Sequence, residues 1–165
     1  MTMTMKKTVL ITALAIMMAM CSTTKTSKNG STSKSSDAKV QYKDDFRAAG
    51  DKEKATLLKN LKATDAKYSV LIFTKNFKGE KIVVSNASST LYSENLISNL
   101  KSGIASTIRI DNTQDTKVYD NFTKKEAIIE TKEAQKHKFI YVMKNPGADN
   151  PFVITYSNTL RPLEL

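Results

Sequence analysis

Tyr68-Ser69-Val70-Leu71-Ile72-Phe73-Thr74 is rich in β-branched and aromatic residues and apolar on both faces of an extended chain. A run of this kind reads as an interior strand, because only a strand covered on both sides has use for apolar residues at every position. Asn76-Phe77-Lys78-Gly79 follows as a turn signal, with Gly79 able to take a positive φ. Lys81-Ile82-Val83-Val84-Ser85 answers as a return strand, so the stretch predicts a β-hairpin.

Downstream, the same short-period pattern recurs. Ile104, Ser106, Ile108 and Ile110 alternate with Ala105, Thr107 and Arg109, and strands are expected again at 116–120, 126–130, 139–143 and 152–156. Asp111 to Asp115, Asn121 to Lys125, Lys132 to Lys136 and Asn145-Pro146-Gly147 read as the turns between them. Residues 93–101 are ambiguous, since Leu96, Ile97 and Leu100 stand at helical spacing and Gly103 is placed to end a helical turn. Upstream, Asp51 is a candidate cap for a short helix through Lys52-Glu53-Lys54-Ala55-Thr56-Leu57-Leu58-Lys59-Asn60-Leu61-Lys62-Ala63. Its leucines form one stripe opposite a lysine face. Strands separated by turns every eight to twelve residues predict a mainly β domain, a small antiparallel sandwich or barrel with a short N-terminal helix, with α+β as the alternative. A doubly wound parallel sheet is disfavoured, because β and α do not alternate. Val70, Ile72, Ile82, Val84, Ile108, Ile140, Val142 and Ile154 are the expected core.

The N-terminus obeys different rules. Lys6 and Lys7 precede twelve uncharged residues, Val9 to Met20. That fits the ~7–15 residues of a signal-peptide apolar region and falls short of the roughly 20 that span a bilayer. The sole cysteine, Cys21, closes this run, and Met18-Ala19-Met20-Cys21 resembles the lipobox of bacterial lipoproteins. Met20 stands where that family prefers Gly, Ala or Ser. The resemblance implies cleavage before Cys21 and a lipid on its thiol. The alternative is ordinary secretion, with cleavage near Ala19, Cys21 and Ser22. With Cys21 lipidated or removed, the mature chain holds no thiol, which excludes disulfides, thiolate catalysis and cysteine metal sites. Residues 22–39 are Ser, Thr and Lys without a large apolar side chain. They read as a polar tether that buries too little to order itself. The expected organisation is a signal peptide over 1–20, a tether over 21–39 and one domain over 40–165.

The chain carries 26 Lys and Arg against 16 Asp and Glu, and removing Lys6 and Lys7 leaves 24 − 16 = +8. A basic exported domain fits an anionic neighbour, namely lipid headgroups, lipopolysaccharide phosphates, polyanionic envelope glycan or DNA, or a protein partner. A solvated lysine surface that only maintains solubility is the plainer reading. Basic and aromatic residues interleave at Lys75-Asn76-Phe77-Lys78 and at Lys136-His137-Lys138-Phe139. Such mixtures serve nucleic-acid platforms, but they equally describe strands with one wet and one dry face, and no specific nucleic-acid partner is expected.

Catalytic patterns are scarce. His137 is the single histidine, and no adjacent residue supplies a nucleophile or an orienting acid. Asp111, Asp115, Asp120 and Glu126 are the acids best placed for a carboxylate-dependent hydrolase, which needs two of them across one pocket. Loop chemistry explains them equally well. The Asp111–Asp115 segment lacks the glycine and the terminal glutamate of an EF-hand loop, and the glycines form no phosphate or dinucleotide loop. No catalytic residue, metal ligand or cofactor is therefore assigned, and Cys21 is the one modification site. The expected function is a non-catalytic envelope lipoprotein, anchored through Cys21 on the periplasmic face of an outer membrane, that binds a macromolecule or serves assembly. The alternatives are the carboxylate hydrolase and a secreted inhibitor or toxin-like domain.

Overall fold

The computed structural model describes residues 37–163. Nine strands and two short helices follow in chain order: β1 (Lys39–Tyr42), α1 (Asp51–Asn60), β2 (Tyr68–Phe73), β3 (Lys78–Ser85), β4 (Thr90–Ile97), β5 (Ser106–Asp111), β6 (Thr116–Asp120), β7 (Glu126–Ile129), α2 (Thr131–Ala134), β8 (Phe139–Lys144) and β9 (Phe152–Ser157). They build two facing sheets, one ordered β1-β9-β8-β2-β5 and the other β4-β3-β6-β7. The domain is mainly β and sandwich-like, and the barrel form of the expectation is not adopted.

The five-stranded sheet is covered on both faces, which explains the doubly apolar β2. Leu71 and Phe73 face the second sheet, with Ile140, Val142, Phe152 and Ile154 beside them and Ile82, Val84 and Val118 opposite. Val70 and Ile72 point the other way and join Phe139, Tyr141 and Leu160 under Phe46, Leu57, Leu58 and Leu61. A ten-residue helix is marginal alone, and α1 is held by this leucine stripe. Of the expected core, seven residues are fully buried. Ile108 is only half-buried and Ile110 takes the inner position, because β5 is an edge strand.

Several local expectations change. The strands flanking Asn76-Phe77-Lys78-Gly79 do not pair with each other. β2 is flanked by β5 and β8, whereas β3 lies between β4 and β6 in the other sheet. The turn is real, with Asn76 at φ 73° and Gly79 at φ 111°. However, Phe77 drops into the core edge-on to Phe73, 5.6 Å between centroids, and carries the chain across the sandwich. Alternation specifies which face is buried and says nothing about which strand is the partner. The sheets are also not wholly antiparallel: β1 runs parallel to β9, and β2 parallel to β8. The ambiguous 93–101 stretch is strand through Ile97, paired with β3. A helix would place Leu96, Ile97 and Leu100 on one side, yet only Leu96 is buried. Gly50, not Asp51, occupies the cap position of α1, and Asp51 lies in the first turn, where a carboxylate suits the helix dipole. The charged turn near 132 contains the single-turn helix α2. At the front of the domain β1 begins at Lys39 and Ala38 is buried, so ordered packing starts just before residue 40.

The signal segment, Cys21 and the tether up to residue 36 lie outside the described residues. Among the described residues no helix is long and apolar enough to cross a membrane.

Candidate functional site

Strand alternation carries the inward positions to one end of the sandwich. Ile140 and Val142 of β8 face the inter-sheet core, so the next inward residue is Lys144. Thr116 and Val118 of β6 lead in the same way to Asp120, and Val84 and Ile82 of β3, read backward, lead to Glu80. Where three strands end, the core therefore closes on an ammonium and two carboxylates. The Lys144 Nζ donates to Asp120 Oδ2 at 2.7 Å and to Glu80 Oε1 at 2.5 Å, bridging the two sheets. Asp120 is fully buried and Lys144 is 5% exposed.

The surrounding backbone completes this network. Asp120 Oδ1 accepts the Phe122 N–H at 2.8 Å, and Oδ2 accepts the Thr123 hydroxyl at 2.9 Å. Asn76 Nδ2 donates to the Lys144 carbonyl at 2.7 Å, and the Lys144 N–H donates to Lys75 O. A bulge at Gly79 shifts the β3–β4 register between Lys78 and Glu80. Burial pushes the Asp120 carboxyl up, but the hydrogen bonds from Lys144, Phe122 and Thr123 outweigh it and hold it below its ordinary range. Glu80 follows the same balance, with Lys144 the main opposing donor. Burial pushes Lys144 down, and its two carboxylate partners more than reverse that. A lysine held protonated is not a nucleophile, and carboxylates held ionised are not proton donors at neutral pH. The triad fastens the two sheets to each other.

Above the triad lies an open cavity of about 290 Å³, walled by Asn76, Lys78, Phe122, Lys125, Pro146 and Pro151. It is the meeting point of three connections: 74–78, 121–125 and 145–151. A fourth, 98–105, is stitched to the first by the Phe77 N–H on Ser98 Oγ and by the Ser98 N–H on Phe77 O. Because β1 pairs in parallel with β9, Lys39 opposite Val153, the N-terminal chain also joins the domain at this end, here termed proximal.

The four acids expected to matter do not converge. Asp111 turns back on Thr113, accepting its N–H at 2.9 Å and its hydroxyl at 2.7 Å. Asp115 accepts the N–H and hydroxyl of Thr131, both at 2.8 Å, and so caps α2 from another loop. Glu126 faces Lys117 across 3.6 Å at the surface. Asp120 alone enters the proximal network, and its partners Lys144 and Glu80 went unnoticed in the sequence. The signal was available: extending the alternation of Ile140-Val142 and of Ile82-Val84 by one step reaches both. Among the described residues no three Asp, Glu, His or Cys gather as a metal cage. His137 rests against Tyr42 and Tyr156, centroids 5.6 and 5.4 Å away, with Nδ1 2.9 Å from Glu133 O. Phe77 and Phe139, the aromatics of the two basic segments, are both core residues, so neither presents a face for a base to stack on.

A separate set of contacts holds the segment from Ile154 to Pro162. Asp44 Oδ1 accepts from the Ser157 hydroxyl at 2.6 Å and from the N–H groups of Asn158 and Thr159. The Arg161 guanidinium is clamped 4.1 Å above Phe46 and 4.4 Å from the Tyr141 ring. These contacts fasten the C-terminal segment to the sheet.

Charge separates the two ends. Lys39, Lys75, Lys78, Lys101, Lys124 and Lys125 are exposed around the proximal end, against exposed Asp37, Glu94 and Asp149 and the partly exposed Glu126. At the opposite, distal end, Asp44, Asp45, Asp65, Asp111, Asp115, Glu130 and Glu133 offset the nearby lysines and arginine. Compared with known proteins, the chain matches no family model and no curated relative.

Proposed function

We propose that this is an exported, lipid-anchored envelope protein whose proximal end binds an anionic macromolecular surface without catalysing a reaction on it. The observation that carries the reading is the charge asymmetry between the ends: six exposed lysines against Asp37, Glu94, Glu126 and Asp149 where the chain leaves the domain. The lipobox-like Met18-Ala19-Met20-Cys21 supports anchorage at Cys21, with two or more acyl chains needed for a stable hold. The engagement of the four candidate acids in a turn, a cap, a surface pair and the buried triad supports binding over hydrolysis.

Intact-mass and membrane-fractionation measurements on the exported protein test the anchor. A lipidated chain beginning at Cys21, released or left unprocessed by Cys21→Ser, is the expected result, and an unmodified chain beginning after Cys21 refutes it. Binding to anionic envelope material is expected to weaken steeply as salt rises past physiological strength, where screening acts over about 8 Å. Salt-independent binding removes the lysines from the reading. Turnover of peptidoglycan or polysaccharide that is lost in Asp111→Asn or Asp120→Asn would replace it with the hydrolase.

A further inference from the structure

We propose that the proximal end docks directly on an anionic lipid bilayer, with Ile97, Leu100 and Phe122 entering the headgroup region and the surrounding lysines contacting lipid phosphates. The inference rests on the proposed function and specifies that its anionic surface is the bilayer.

Three features of this end meet. The first is apolar exposure in well-tied loops. Ile97, Leu100 and Phe122 are 68%, 102% and 80% exposed, and all three stand at the proximal ends of strands or in the turns beyond them. Single exposed apolar residues are ordinary. These turns, however, are hydrogen-bonded into fixed shapes: Asn99 Oδ1 accepts the Lys101 and Ser102 N–H groups across Leu100's turn, and Asp120 Oδ1 accepts the N–H of Phe122 itself. A rigid turn that holds a large apolar side chain in water gains nothing for the fold.

The second feature is the ring of lysines, each of which contributes roughly fivefold to partitioning when close to an anionic leaflet. A glycan would use the lysines but leave the three apolar tips in water. A bilayer accepts both, with apolar groups in the acyl boundary and ammonium groups at the phosphates.

The third feature is the attachment of the chain. About 18 residues of Ser, Thr and Lys composition separate Cys21 from β1, a length that spans roughly 25 Å r.m.s. in a Gly/Ser-like chain. Since β1 begins at the proximal end, an anchor at Cys21 is joined to the domain at that end. Tethering of this kind corresponds to effective concentrations of about a millimolar, so a weak patch is sufficient.

The test uses the expected mature chain, residues 21–165 carrying Cys21→Ser, which removes both the lipid and the apolar signal segment, so that vesicle binding reads the protein surface. The chain contains no tryptophan, so Phe122→Trp and, at the distal β3–β4 turn, Ala87→Trp each supply a single fluorophore. With vesicles of phosphatidylethanolamine and phosphatidylglycerol, the emission of the Phe122→Trp variant should shift to the blue and that of the Ala87→Trp variant should not. Leu100→Asp should weaken vesicle binding by more than about tenfold, and Lys78→Glu with Lys125→Glu by at least about 25-fold, while distal Lys132→Glu changes nothing. Circular dichroism and the melting temperature show whether each variant is folded. Absence of vesicle binding, or equal shifts in the two tryptophan variants, overturns the docking face. Salt-sensitive binding to an anionic glycan without binding to vesicles overturns the bilayer and leaves the broader anionic reading standing.

Discussion

The two ends of the sandwich use their carboxylates in opposite ways. At the distal end they stay at the surface and accept backbone N–H groups, as Asp44 does for 158–159, Asp65 for Lys67 and Asp115 for Thr131. At the proximal end Glu80 and Asp120 turn inward onto Lys144, and the loops outside keep their lysines and apolar tips. The distal arrangement satisfies each loop locally and leaves a nearly balanced surface. The proximal one places its negative charge inside the fold, so the exterior becomes positive without destabilising the strand ends. The triad withdraws one net negative charge, two carboxylates against one ammonium, and the exposed lysines supply the rest of the basic character.

The largest expected effect comes from breaking the triad. Lys144→Ala leaves two buried carboxylates without their cation and should cost about 3–5 kcal/mol in a denaturant titration. Replacing all three members with apolar residues of similar volume, as Glu80→Met, Asp120→Leu and Lys144→Met together, should recover most of that loss, because the desolvation of the charges disappears with them. If Lys144→Ala costs less than about 1 kcal/mol, the value of an exposed pair, the cluster is water-filled in solution and the contrast between the ends fails.

Acid and base should act on the same cluster. Glu80 and Asp120 have folded pKa values below their ordinary ~4. The stability they contribute is present above that value and is lost as pH falls through the folded pKa. Lys144 is raised above its ordinary ~10.4, so its contribution is complete below that pH and is lost as pH rises through the folded pKa. Denaturant midpoints measured across pH should show a plateau from about 4 to about 10, and the acid limb should flatten in the triple apolar variant. An unchanged acid limb would move the titrating groups to the distal aspartates, since Asp44 and Asp111 are also held low by their hydroxyl and N–H donors.

A smaller effect is expected at the distal end. Asp44→Ala removes one acceptor shared by three donors, yet the group is solvent-exposed, so water replaces much of what is lost. A cost of about 1 kcal/mol is expected, read as a shift in midpoint without a change in slope. A cost equal to that of Lys144→Ala would show that both ends are fastened with the same strength.

The sequence reveals the faces of strands far better than their partners. Alternation identifies Val70, Ile82, Val84, Ile140, Val142 and Ile154 as core because burial is local to a strand. It misplaces β3 beside β2 because pairing is settled by competition: β8 and β5 occupy both edges of β2, and Phe77 diverts the chain. The proximal network was half legible. Asp120 stands out as an acid at a strand end, whereas Lys144 and Glu80 read as turn residues until the register of three separate strands places them at one level. The charge asymmetry is invisible in a net charge of +10, because it depends on which loops share an end.

The smallest expected effect separates the apolar tips from the core beside them. Leu96 and Ile97 are consecutive residues at the end of β4, 2% and 68% exposed. Strand geometry sends them to opposite faces, so one contributes to the inter-sheet core and the other to the outer surface. Leu96→Ala should cost about 2–5 kcal/mol, as buried leucine truncations do. Ile97→Ser, Leu100→Ser and Phe122→Ser should each stay within about 0.5 kcal/mol of the parent. Thermal and denaturant unfolding of the four variants measures the difference. Neutrality of the three exposed tips would mean that the fold does not need them, which leaves their apolar character to be explained by something outside the domain. A cost of about 1 kcal/mol or more at Leu100 or Phe122, beyond the range of ordinary surface substitutions, would instead tie that side chain to the fold in solution. It would return that residue from the membrane-facing surface to the core.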